Sequence, residues 1–208
     1  MLFEKALMKG HENAFVESLT VVSPQAKGSD TSDGMFILRG SFVVRIPMEY
    51  EPDHHLSVFR RFYGDVIDLD RTWVDANHDR VTHKLEAKKR YLIKIFQIAD
   101  PKSHDDETQI TSKEIIEFME KEDALFVGAQ GLVLAWELLN LGSKKWELGV
   151  TENIFSFDKK DKLFSDECGT WIPALSIMSR GLAFCQGEYD SKWTGIYTYI
   201  ICFYPIEG

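Results

Sequence analysis

Hydrophobic positions change their spacing several times along the chain, and the changes outline its elements. Between Phe36 and Ile46 the period is two. Phe36, Leu38, Phe42, Val44 and Ile46 share one face, while Arg39, Ser41 and Arg45 share the other. That alternation predicts a strand over 36–46, stopped by Pro47. Tyr91–Ile98 is nearly all apolar and rich in β-formers, which predicts a second strand, with Val81–Leu85 as its hairpin partner. A third strand is predicted over 196–204, ended by Pro205. In the middle of the chain the period moves to that of a helix. Thr111-Ser-Lys-Glu114 has the form of a capping box, and Ile115, Ile116, Phe118 and Met119 follow as an apolar face, predicting a helix over 112–121. Residues 131–141 read as a buried helix closed by Gly142. Ala124–Val127 reads as a short buried strand, and Gly128-Ala-Gln-Gly131 as a tight turn before the helix. Strands on both sides of two helices, without strict β-α-β alternation, predict an α+β fold: mainly antiparallel sheet with a central pair of helices.

Polar, small-residue stretches at 23–34, 99–112 and 158–170 punctuate this pattern as loops. The chain of 208 residues suits a single domain, 1–208, with a possible division near 99–112 into a β-rich first part and an α+β second part. Hydrophobic residues at 44% and charged residues at 27% are ordinary globular values, which argues against wholesale disorder.

Charge narrows the choice of partner. A formal net charge of −9 repels a phosphate backbone unless a basic patch outweighs it. The basic runs, Arg60-Arg61, Lys88-Lys89-Arg90 and Lys144-Lys145, are short and not interleaved with aromatics. Nucleic acid is therefore disfavoured, and a basic protein partner fits the field. Cys168, Cys185 and Cys202 are odd in number and form no Cys-x-x-Cys pair, so free thiols are expected, with Cys185 and Cys202 buried in apolar surroundings. With neither a signal-like start nor a long apolar run, the expected location is the cytoplasm, away from membranes.

The sharpest chemical motif is Val66-Ile-Asp68-Leu-Asp70-Arg-Thr72. It resembles the first motif of the haloacid dehalogenase-like phosphatases, an apolar strand running into Asp-x-Asp-x-Thr. The resemblance implies Asp68 as nucleophile, Asp70 as general acid/base, Thr72 beside them, and Mg²⁺ held by Asp68 and Asp70. Two carboxylates two residues apart at a strand end can share a hard cation and leave one oxygen free to attack phosphorus. The likeness covers residues 66–75 and departs from the family elsewhere. Arg71 replaces a turn-forming glycine, and the candidates for the later motifs are scattered: Thr111 or Ser112, Lys144 or Lys145, and Asp158, Asp161 or Asp166.

Four histidines, His54, His55, His78 and His83, lie among Asp53, Asp75 and Asp79. A helix over 74–85 would bring Asp75, His78, Asp79 and His83 toward one face, at metal-bridging spacing, whereas the strand expected at 81–85 scatters them. No Gly-x-Ser-x-Gly elbow or P-loop lysine is present. Trp171, Tyr189, Trp193, Tyr197, Tyr199 and Tyr204 make the last third aromatic, suiting either core packing or a recognition face. The balance favours a non-enzymatic cytosolic binding or accessory protein that acts on a protein partner without cofactor or metal. The alternative is a Mg²⁺-dependent phosphohydrolase using Asp68, Asp70 and Thr72.

Overall fold

A computed structural model describes residues 15–21, 35–46, 80–98, 109–141, 153–178, 181–193 and 198–207. It has a mixed sheet with two helices, an α+β fold. The strands are β1 (Phe15–Val21), β2 (Phe36–Arg45), β3 (Arg90–Ile98), β4 (Ile110–Thr111), β5 (Asn153–Phe155), β6 (Phe164–Ser165), β7 (Thr170–Met178), β8 (Gly181–Glu188), β9 (Lys192–Trp193) and β10 (Thr198–Ile206). The helices are α1 (Ser112–Lys121) and α2 (Gly128–Leu141).

The main sheet runs β1-β2-β3-β10-β5-β7, and β7 carries β6 beside β5 on one edge and β8 on the other. Strand β10 joins β5 in parallel and β3 in antiparallel sense, so the sheet is mixed at its centre. Alternation along the strands sorts the core into two clusters. Phe42, Val44, Tyr91, Ile93, Ile95, Tyr199, Ile201 and Phe203 pack with Leu132, Val133 and Leu134 of α2. Phe36, Phe96, Ile98, Ile200 and Cys202 pack with Ile115, Phe118 and Met119 of α1. The two helices expected as a central pair thus belong to separate clusters, one on each face of the sheet. On the α1 side Phe118 stacks on Phe36 with centroids 3.9 Å apart and meets Phe96 edge-on at 5.0 Å.

Helix α1 begins where its cap dictates. Thr111 Oγ1 accepts from the Glu114 backbone N–H, and the Glu114 carboxylate accepts from the Thr111 N–H at 2.8 Å. Helix α2 starts three residues ahead of the predicted 131, because Gly128 to Gln130 form its first turn instead of a separate tight turn. Gly128 takes φ +37°, a conformation costly to a side chain.

Strand β10 also departs from expectation, running through Pro205 to Ile206. Phe203 accepts at its carbonyl from Leu125 N–H, so the odd residues of β10 turn their polar groups away from β3 at this end. The missing N–H of Pro205 falls on that side and costs the β3 ladder nothing. The described part of the predicted 196–204 strand starts at Thr198. Leu125 makes an isolated bridge to Phe203 where a short strand was expected over 124–127. Val81–Leu85 is not the hairpin partner of β3. It runs as an irregular strap whose backbone groups bond to Phe126, Asp158 and Gln130.

Candidate functional site

Pro173 borders a small pocket that Arg80, Asp158 and Lys162 line together with apolar residues. In β7 the odd residues turn their backbone groups toward β5 and β6, as the Tyr189 N–H on the Thr170 carbonyl and the Ser156 N–H on the Pro173 carbonyl show. Pro173 therefore lacks its N–H on the β5 side, where a ladder can go no further. The chain leaves the sheet after Ser156 and returns at β6, and Asp158 lies on the detour. A small cavity of about 10 Å³ lies here, lined by Arg80, Val81, Gly128, Asp158, Trp171 and Pro173.

Asp158 is the joint of three separated segments. Its carboxylate accepts from the Thr82 N–H at 3.2 Å, from the Thr82 hydroxyl, and from the Lys159 N–H at 2.7 Å. It also lies against the start of α2, where a Cβ placed on Gly128 would come 2.9 Å from Oδ2. The side chain is 1% exposed. Burial pushes its pKa up to about 6, against the opposing hydrogen bonds from Thr82 and Lys159 and the nearby His83. A carboxyl titrating near neutrality has the acidity of a general acid/base. Geometry points elsewhere: its donors come from the protein itself, and the cavity has room for about one water. The arrangement is a polar clasp that fastens the 80–86 strap to the start of α2.

Several polar groups nearby are likewise bonded within the protein, while Gln130 Nε2 and Ser156 Oγ are buried without a hydrogen-bond partner. His83 Nδ1 accepts from the Phe126 N–H at 2.9 Å, while the His83 backbone N–H donates to the Phe126 carbonyl at 2.8 Å. Gln130 Oε1 accepts from the Leu85 N–H at 3.2 Å. Thr111 caps α1, and the Ser112 hydroxyl donates to the Tyr189 carbonyl while accepting from Trp193 Nε1 at 2.8 Å.

The second candidate lies at the β6–β7 corner. Asp166 closes this turn: one carboxylate oxygen accepts from the N–H of Cys168 at 2.8 Å and of Gly169 at 3.0 Å, and from Trp171 Nε1 at 3.1 Å. The Trp171 bond, with the two backbone donors, holds the Asp166 carboxyl below its ordinary pKa. Trp171 is half-buried and faces Glu188 across the β7–β8 ladder. Asp166 and Glu188 are exposed beside it, and Glu167 and Asp190 are exposed next to them along the chain, with Lys160 bridged to Asp190 at 3.2 Å and Lys192 exposed in β9. Opposite lies a closed apolar face. Gly187 is so tightly covered that a Cβ there would meet Trp193 Cη2 at 2.3 Å and Phe155 Cε1 at 2.7 Å.

Comparison with known proteins finds no family, no curated protein and no solved structure that matches this chain. The site must be judged from its own residues. Asp68, Asp70 and Thr72 lie outside the described residues, as do Asp65, Asp75, His54, His55, His78, Asp53, Asp79, Lys144 and Lys145. Of the later-motif candidates, Asp158 enters the cavity, Asp161 and Asp166 are exposed, and Thr111 and Ser112 serve α1 and β9. Among the described residues no three His, Cys, Asp or Glu side chains are placed to hold a metal. Nor is any described helix long and apolar enough to cross a membrane.

The aromatic residues divide. Trp193 and Tyr199 are buried, Trp171, Tyr189 and Tyr204 are half-buried, and Tyr197 lies outside the described residues. Lys160 and Lys94 sit over the Tyr189 and Tyr204 rings, each 4.5 Å from the centroid. Cys202 is buried and Cys185 only half-buried, so full burial holds for one of the two thiols. Burial raises the Cys185 thiol to about 11 and Cys202 to about 12. Sequence reasoning missed the Asp158 clasp because Thr82, which gives it two of its donors, is 76 residues distant along the chain. Pro173 was a usable sign of a broken ladder, and from sequence it reads only as the point where a strand passes into a turn.

Proposed function

We propose that the protein is a non-enzymatic binding protein whose partner is a basic protein segment docking at the Trp171 corner. One observation supports this most: a half-exposed tryptophan, fixed by its indole N–H on Asp166, stands between the exposed carboxylates Asp166 and Glu188, with Arg80 and Lys162 lining the cavity it shares with Asp158. Tryptophan is enriched among residues that dominate interface energy, and its orientation here is fixed before binding, which lowers the ordering cost. Carboxylates around it and a net charge of −9 favour approach of a cationic chain. The Asp158 clasp agrees with this reading, since its one titrating carboxyl is spent on internal donors.

Titration calorimetry with an alternating Lys-Thr peptide, and with its Glu-Thr counterpart as control, tests the proposal. The Lys-Thr peptide binds the native protein, weakens as salt is raised, and loses about tenfold or more in affinity on Trp171→Ala. Equal affinity of the variant, or equal binding of the Glu-Thr peptide, contradicts the proposal.

A further inference from the structure

Register places one row of β8 backbone groups on the side away from β7. The Tyr189 N–H bonds to the Thr170 carbonyl, so the opposed pairs Ile172–Gly187 and Ala174–Cys185 exchange hydrogen bonds, and Trp171–Glu188 and Pro173–Gln186 do not. The N–H and C=O of Phe184 and Gln186 consequently point outward from the sheet. The Glu188 carbonyl points the same way but already accepts from Ser191 N–H at 3.2 Å. Among the described residues β8 pairs with β7 alone. Solvent reaches the end of this strand, since Gln186 and Glu188 are exposed while Gly187 is covered by Trp193.

A sheet edge of this kind is a template for one more strand. The charge beside it defines what that strand carries. Glu188 projects on the same face as Trp171, and Asp166 and Glu167 stand at the adjoining turn. A strand added beside β8 would place its alternate side chains next to Gln186 and Glu188, where lysine or arginine is the favourable neighbour and a carboxylate is repelled.

From this geometry we infer that the basic partner binds as an extended strand on the outer edge of β8, hydrogen-bonding to Gln186 with lysine or arginine beside Glu188 and Trp171. The inference rests on the docking proposed for the Trp171 corner and adds the partner's conformation and register. Main-chain bonds supply the attachment, and alternate basic side chains supply the selection.

Register also supplies the test. The Gln186 N–H is not used by β7, so Gln186→Pro removes one outward donor and leaves the β7–β8 ladder its bonds. Affinity for the Lys-Thr peptide falls about tenfold in Gln186→Pro, with the melting temperature held, while Gln186→Ala binds as the native protein does. A second measurement leaves the protein untouched: N-methylation of alternate peptide amides abolishes binding in one register and spares it in the other. Should both methylated peptides bind equally and Gln186→Pro bind normally, strand addition is overturned. If that binding still depends on Trp171, docking at the corner survives. No binding of the unmodified peptide to the native protein overturns both. Should Gln186→Pro fail to fold, the methylated peptides alone decide.

Discussion

Asp158 shows how a residue can carry reactive acidity and a structural task together. Its pKa in the folded protein is raised to about 6 from an ordinary 3.8, so the folded state holds a proton more tightly than the unfolded chain does. The stabilisation that follows is fully present below about pH 4 and lost as the pH rises through 6. For a shift of this size it is on the order of 3 kcal/mol. Urea unfolding of the native protein and Asp158→Asn at pH 4 and pH 7.5 should therefore show native-minus-variant stability falling by that order as pH rises. A difference that stays constant with pH would mean that Asp158 is not buried as described. Gly187 makes a second prediction at this scale. A methyl there must displace Trp193 or Phe155, both buried, so Gly187→Ala should cost about 1–3 kcal/mol in the same assay. A neutral result would contradict the closed face behind β8.

Elements with local causes were legible from the chain alone. The predicted helix over 112–121 matches α1, because a capping box and an apolar face lie within ten consecutive residues of Ser112–Lys121. The bounds of β2 and β3 are likewise matched nearly to the residue, although a bulge between Leu38 and Gly40 turns Phe36 and Leu38 to the α1 side, away from Phe42, Val44 and Ile46. Thr111→Ala removes a hydroxyl that caps α1 and should lower stability by about 1 kcal/mol, measured by thermal or urea unfolding. No loss would place the weight of α1 on packing alone. Elements with distant causes were not legible. Pro205 reads as a strand end, yet β10 passes through it because the lost donor faces away from β3. Trp171-Ile-Pro173 reads as a strand passing into a turn, yet all three residues are inside β7 because the proline faces a gap between β5 and β6. Val81–Leu85 reads as a strand, yet its donors at Thr82, His83 and Leu85 go to the Asp158 side chain, the Phe126 carbonyl and the Gln130 side chain, which sequence reasoning cannot bring near.

At the scale of the whole molecule, both functional readings make opposite claims about ions and partners. A phosphohydrolase centred on Asp68, Asp70 and Thr72 would bind Mg²⁺ in its folded form, and saturating Mg²⁺ would raise the melting temperature by several degrees, on the order of 5 °C. The binding-protein reading predicts no such shift beyond general screening, and no difference between native protein and Asp68→Asn in this respect. A Mg²⁺-dependent rise lost in Asp68→Asn would favour the enzyme. The acidic balance and the aromatic last third were visible as composition, and they suited core packing as well as a recognition face. Which tryptophan stays at the surface was not visible, because Trp171 and Trp193 differ in what covers them. Trp193 is buried with its indole N–H on Ser112, whereas Trp171 stands half-exposed on Asp166. That contrast gives the most direct test. In ¹⁵N-correlated spectra, titration with the Lys-Thr peptide should move the Trp171 indole N–H resonance progressively to saturation and leave that of Trp193 in place. A Trp171 resonance that stays fixed at saturating peptide would contradict docking at this corner.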